Sequence, residues 1–381
     1  AENRPPSEPA AVTPADGEQV EGSSVTLSWQ GGDPDGDAVV YDVYMERERP
    51  APGLLQCHDA GSRSCDVSGL QAGETYYWQV AARDELGAKV LGPVWSFTVE
   101  PAEPLPDEIT FVSEADGDRD IYGMNADGSG LTNLSNSNAS DNGASWSPDG
   151  RRLVFHSDRE GDNQLYVMNA DGSDQQRLLA STAIDEWAYW SPAGDKIAFS
   201  RIADFDDEGL LRTEVFVMDA DGTDVRRLTY TTGQTAQYTH GCWPSGWSPD
   251  GGEILYYCYD DGRHQIRIMN ADGSNQRPIV DDGYWNSIPT MSPDGTKVAF
   301  SSHRHGNYDV YVINADGTGL QQLTDDASDD WRPTWSGDGQ KILFEANRDG
   351  ITQVYWMNLD SSGQTRLTDN SSYAGQQSWR P

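Results

Sequence analysis

Met168-Asn169-Ala170-Asp171-Gly172-Ser173 recurs in close copies whose acidic residues are Asp127, Asp221, Asp272, Asp316 and Asp360. From Asp to Asp the spacings are 44, 50, 51, 44 and 44 residues. A second motif, Trp146-Ser147-Pro148-Asp149-Gly150, keeps step and returns at Trp190, Trp247, Met291 and Trp335, with a shortened form at Trp379-Arg380-Pro381. Self-similarity at roughly 40–45 residues is the period of a four-stranded propeller blade. Asp-Gly pairs suit tight hairpins, because glycine accepts positive φ and aspartate bonds to neighbouring backbone. The repeated turns therefore read as structural.

The ends of the array predict how it closes. The first copy starts at Ile109-Thr110-Phe111-Val112, which matches a second strand, whereas Gln376-Gln377-Ser378-Trp379 matches a first strand. Pairing of these two segments makes one complete blade and removes both open edges. The expected fold class is all-β: a six-bladed β-propeller over residues 107–381, closed by the C-terminal strand against the N-terminal blade.

The paired Trp-Ser-Pro-Asp-Gly and Asn-Ala-Asp-Gly motifs resemble those of TolB-like propellers, a family with WD-like repeats. It includes periplasmic TolB, the propellers of prolyl-oligopeptidase-type enzymes and oligogalacturonate lyases. The chain departs from the TolB pattern ahead of the propeller, where TolB carries an α/β domain. It has no G-x-S-x-G elbow of the kind that peptidase members carry.

Residues 1–10 read as an extended segment, and 11–99 as a small sandwich of short alternating strands. Trp29, the turn and tyrosine of Leu70-Gln71-Ala72-Gly73-Glu74-Thr75-Tyr76, and Trp95-Ser96-Phe97 resemble fibronectin type III domains. Residues 100–106 form a Pro-rich linker, expected to be stiff. No basic-then-apolar leader precedes Arg4-Pro5-Pro6, so a secretory signal is expected to be absent or removed.

The net charge is −36. Residues 1–105 carry 18 acids against 6 bases and the remainder 44 against 20, so the acidity is spread through the chain. Such a surface repels nucleic acid and anionic membranes and favours cations or basic partners. No apolar run reaches the length of a membrane span. The four cysteines form two close pairs, Cys57 with Cys65 and Cys242 with Cys258, without zinc-site spacing. Two local disulfides and an oxidising compartment (secreted, periplasmic or cell surface) are expected.

In an antiparallel blade the turns after the first and third strands share one face, and the loops after the second and fourth share the other. Sequence irregularity collects in the second set, including the insertion at 203–209 and the stretch 230–245. Loops on a rigid scaffold are where binding residues concentrate. The binding candidates on this irregular face are Trp187, His240, Trp243, Trp285, Trp331 and Tyr373, with packing between blades as the competing reading. Asp185, Glu186, Asp281, Asp282, Asp325, Asp326, Asp329 and Asp330 read as solvated loop acids, or as a carboxylate ring able to hold Ca²⁺. Asp33, Asp35 and Asp37 have the alternate spacing of a calcium loop but lack the closing Glu, and Glu114, Asp116 and Asp118 repeat that spacing.

No catalytic residue is assigned. The expected function is an extracytoplasmic, non-catalytic binding or assembly protein. Its partner would be a protein or glycan, or a second copy in a surface layer or filament. The rival is a metal-dependent polysaccharide lyase, implied by the resemblance to oligogalacturonate lyases and their histidine-rich metal site. His156, His240, His303 and His305 are the residues to weigh for it, with His58 and His264 isolated. An acidic face suits a uronate substrate poorly.

Overall fold

The computed structural model describes residues 3–20, 24–47, 54–68, 70, 74–99, 108–205, 211–231, 241–260, 263–369 and 371–381. The described residues contain strands and turns throughout and divide into two compact units, Ala1–Leu105 and Pro106–Pro381. The expected linker at 100–106 and turn residues 71–73 lie outside the described residues.

The first unit is a two-sheet sandwich. Ser24–Gln30 lies between Ala10–Thr13 and Ser64–Ser68. The other sheet runs Glu18–Val20, Lys89–Val99, Thr75–Asp84, Val39–Glu46, Leu54–Ala60. Alternate side chains point inward, as a period of two requires, so Leu27, Trp29, Tyr41, Val43, Trp78, Val80 and Phe97 form the core. Cys57 and Cys65 are joined, and their strands belong to opposite sheets, so the bond ties the sandwich across its edge.

In the second unit each repeat folds as the motif spacing predicts. Asp141–Trp146, Arg152–Ser157, Gln164–Asn169 and Gln176–Arg177 form one antiparallel sheet in chain order. The middle strands are apolar on both faces, because sheets pack on either side, and Leu153, Val154, Phe155 and Leu165 are fully buried. Repeats at 286–322 and 330–366 form the same four-stranded sheet. The repeats at 185–227 and 241–280 merge into a single eight-stranded sheet through one parallel pairing, Thr213 with Gly241. The last strand, Ala374–Trp379, pairs antiparallel with Glu108–Ser113 and completes the first sheet. Arg380 follows that strand: its Nε donates to Gly150 O at 2.8 Å, it pairs with Glu108, and it lies over the Trp146 ring.

The Asn-Ala-Asp-Gly turn does more than reverse the chain. Asp171 accepts hydrogen bonds from Ser173 N and Oγ, Gly172 N donates to Asn169 O, and Gly172 has φ 83°. A Cβ on Gly172 would overlap the Leu134 carbonyl, in the preceding sheet. Gly222 stands in the same relation to Leu178, while a Cβ on Gly317 would lie 3.1 Å from Ile279 O and one on Gly128 3.1 Å from Leu367 O, tight contacts short of overlap. Each of these turns is thus seated on its neighbour, the first repeat on the last. Gly172→Ala is expected to cost about 2–4 kcal/mol, since φ strain adds to a backbone collision, and Gly317→Ala about 1–2 kcal/mol. Urea denaturation of the two variants measures the difference, and equal losses would reject the seating.

Candidate functional site

The first strand of every repeat is interrupted by a bulge against the second, between Asn142 and Ser145, Glu186 and Tyr189, Pro244 and Gly246, Ser287 and Thr290, Trp331 and Thr334, and Gly375 and Ser378. At five of these bulges a residue takes φ between 50° and 64°, Gly143 (64°), Trp187 (50°), Ile288 (50°), Arg332 (51°) and Gln376 (54°), and at the sixth Gly246 has φ 140°. For a β-branched residue such as Ile288 this conformation costs on the order of 1–3 kcal/mol. The bulge turns its backbone N–H toward the neighbouring sheet. Arg332 N donates to Ser301 Oγ at 2.9 Å, Gln376 N to Glu345 Oε1 at 2.7 Å, and Gly143 N to Gln376 Oε1 at 2.8 Å. Trp187 N approaches His156 Nδ1 at 3.5 Å.

The bulge residues line a cavity of about 400 Å³ to which every first strand contributes. It reaches the Ser-Pro turns through Pro148 and Pro192, and is also lined by Pro381. Arg332 sits at its waist, paired with buried Glu345 at 3.2 Å and lying 4.8 Å from the Trp187 ring. Burial acts to lower the Arg332 guanidinium, but Glu345 and the phenols of Tyr373, Tyr257 and Tyr189 hold it above its usual value. Burial pushes the Glu345 carboxyl up, against the pull of Arg332 and the Gln376 N–H. His156 is buried and driven down to about 3 by burial, then by Arg332 and Arg119. Arg332 Nε and Gln376 N both reach Glu345 Oε1, although Glu345 Oε2 is buried without a hydrogen-bond partner among the described residues. These contacts hold the neighbouring sheets in register around the cavity.

The candidate aromatics divide. Trp187 and Tyr373 converge on Arg332 at the cavity. Trp243 stacks on Tyr257, ring centroids 5.4 Å apart, as packing. Trp331 lines a separate cavity of about 300 Å³ with Tyr308, Asp329 and Ile288. Trp285 is 48 % exposed and Tyr284 47 %, and both line a cavity of about 230 Å³ with His303. His240, the stretch 232–240 and insertion residues 206–209 lie outside the described residues.

Two of the loop acids are not solvated. Asp185 and Asp330 are fully buried, held by Arg201 at 2.6 and 2.9 Å and by Arg348 at 2.8 Å. Asp141 is held likewise by Arg159. Each of these arginines also lies over an aromatic pair of its own sheet, as Arg159 does over Phe155 and Tyr166. In the repeat that carries Trp247, the equivalent position is Cys242, directly opposite its disulfide partner Cys258. The bond replaces the ion pair between first and second strands.

Asp309 shows a different solution. Burial, then the nearby Asp330, pushes its carboxyl up to about 6. The native state then keeps a proton that the unfolded state releases near pH ~4, so stability falls as pH rises from about 4 to 6. Gln164 and Gln353 hold the equivalent position in other sheets. Asp309→Asn is expected to raise stability by about 1 kcal/mol at pH ~7.5 and to add nothing at pH ~4. Thermal melts at both pH values check it.

At the calcium candidates, Asp35 is bound by Arg4 at 2.6 and 2.8 Å, and Asp33 accepts from Asp35 N at 2.6 Å. Burial and the carboxylates of Asp33 and Asp35 push Asp37 up. Glu114 turns to Arg119 at 2.8 Å, so the carboxylates that approach one another are Asp116, Asp118 and Asp120, within 4.8 Å. Among the described residues the other group able to hold a metal is Asp42, His58 and Asp59. His305 bonds the Tyr311 hydroxyl at 2.8 Å, and His303 and His264 pack among aromatic rings.

Residues 89–236 and 211–381 match the family model of the TolB beta propeller domain, and residues 10–98 that of the fibronectin type III domain. No curated protein matches the chain. Among solved structures, a putative TolB from Agrobacterium tumefaciens is 20 % identical with a TM-score of 0.57, covering 73 % of this chain and 100 % of that one. TolB from Acinetobacter baumannii is 16 % identical with a TM-score of 0.61, covering 91 % and 84 %. A Kuenenia stuttgartiensis hydrazine synthase chain is 16 % identical with a TM-score of 0.59, covering 73 % and 47 %. At these identities the likeness is one of fold.

Proposed function

The chain belongs to the TolB beta propeller family, and from that membership we propose an extracytoplasmic, non-catalytic binding or assembly protein that engages a protein or glycan through its irregular face. The six repeats are read as six blades in a closed ring. The final strand within the first sheet and the seating of the first repeat's turn on the last support that reading. Two disulfides fit an oxidising compartment.

The observation that carries the binding role is the exposure of Trp285 and Tyr284 over a cavity, on the side where the repeats differ. At the cavity of the bulges, by contrast, the charged groups Arg332 and Glu345 pair with each other. The test is to incubate the protein with neutral and uronate polysaccharides and follow both binding and product release. Binding without product supports the reading, whereas metal-dependent turnover would establish the lyase. Light scattering with and without Ca²⁺ tests assembly into a surface layer or filament, and a Ca²⁺-dependent rise in melting temperature tests the acidic clusters.

A further inference from the structure

Five rings from two neighbouring repeats form a continuous row on the irregular side. Tyr259 and His264 have centroids 4.6 Å apart, His264 and Trp285 5.1 Å, Trp285 and His303 6.2 Å, and His303 and Tyr308 5.1 Å. Tyr259 ends a second strand and His264 opens a third. Trp285 precedes the next first strand, and His303 and Tyr308 flank the loop that follows. Tyr308 then lines the cavity of Trp331, so the row connects two open depressions, of about 230 and about 300 Å³.

The chemistry of the row selects its occupant. A ring face is electron-rich and attracts the weakly positive C–H face of a pyranose, while the sugar hydroxyls at the ring edge need polar partners. Such partners flank the rings here: Ser287 and Asp329 in one depression and the His303 imidazole in the other. A protein's apolar anchor would favour an aliphatic pocket, yet Ile288 is the one aliphatic side chain lining either depression. Burial pulls His264 down, which favours an uncharged imidazole in the row. Asp329 and Arg332 share one lining, with Arg332 already paired to Glu345, so the chain charge of −36 disfavours an anionic polymer.

We propose that the accessible part of this row, exposed Trp285 and His303 with half-buried His264, Tyr308 and Trp331, backed by buried Tyr259, is a binding track for a neutral polysaccharide. The proposal rests on the reading of the irregular face as the binding surface. Native affinity electrophoresis through gels containing neutral glucan, mannan or galactan, and through gels containing polyuronate, tests it. Retardation by a neutral polymer is expected, with affinity falling about tenfold or more in Trp285→Ala and in Trp331→Ala. Tyr230→Ala, which removes an exposed aromatic outside the row, should leave it unchanged. Melting temperatures confirm that each variant is folded.

Retardation by polyuronate alone, or equal losses in all three variants, would overturn the track. Retardation unaffected by either tryptophan variant would also overturn it and leave glycan binding to be placed elsewhere. If no polysaccharide retards the protein, the glycan assignment fails. Light scattering of the wild type and Trp285→Ala then decides the parent reading: self-association lost in the variant would keep the irregular face as a protein-binding surface.

Discussion

Asp141→Ala is expected to destabilise the propeller unit by about 3–5 kcal/mol, because removing one partner of a buried pair strands the other charge. Asp141 is fully buried, and Arg159 bonds both its oxygens at 3.0 and 3.1 Å while lying 4.6 Å from the Tyr166 ring centroid. Adding Arg159→Ala should recover stability, leaving a net loss of about 1–3 kcal/mol. The basis for that recovery is in the chain itself. Ala374 pairs with Ser113 as Asp141 pairs with Ser157, and Ala115 follows Ser113 as Arg159 follows Ser157. The first sheet lacks both partners of the pair, and another repeat carries Cys242–Cys258 at the same place. Denaturant unfolding of the two single variants and the double variant measures the coupling. Additive losses would show that the pair does not act as a unit.

Sequence made the repeat legible because its turns need particular residues. Gly172 must take positive φ, and Asp171 must cap Ser173, so those positions recur with little change. The buried acids were harder to read. Asp185 and Asp330 stand in acidic stretches that look solvated, and the arginines that neutralise them come from the next strand or the loop after it. A signal was nonetheless present: Asp141, Asp185 and Asp330 each lie five residues before a motif tryptophan, and Cys242 holds the same offset from Trp247. The bulges left no such mark. Trp187, Ile288 and Arg332 adopt a glycine-like φ because the neighbouring sheet surrounds them, a tertiary constraint that local propensity opposes. That constraint decides which aromatics are available. It turns Trp187 to the axial cavity, while Trp285, just ahead of its own first strand, stays exposed. The aromatic row joins side chains spread from Tyr259 to Tyr308, so only the packing of neighbouring sheets brings it together.

The wild-type protein is expected to lose stability steeply as pH falls below about 6, with His156 responsible for a defined share. The imidazole is 4 % exposed, and a Cβ on Gly143 would lie 2.8 Å from its Cε1, so it has little room to move toward water. Arg332 and Arg119 add like charge to the cost of burial, which together depress its pKa from 6.5 to about 3. A depressed folded-state value means the unfolded chain binds the proton first. The contribution is therefore complete above about pH 6.5 and is lost as pH falls toward 3. At pH ~4 the gap amounts to about 3 kcal/mol at roughly 1.4 kcal/mol per unit. His156→Gln removes the titration while keeping a polar acceptor near Trp187 N. Its unfolding free energy should therefore fall by about 3 kcal/mol less than that of the wild type between pH ~7 and ~4. Urea titrations at the two pH values measure this. Parallel losses in both proteins would mean that His156 titrates alike in the native and unfolded states, and that the acid sensitivity lies with the carboxylates alone.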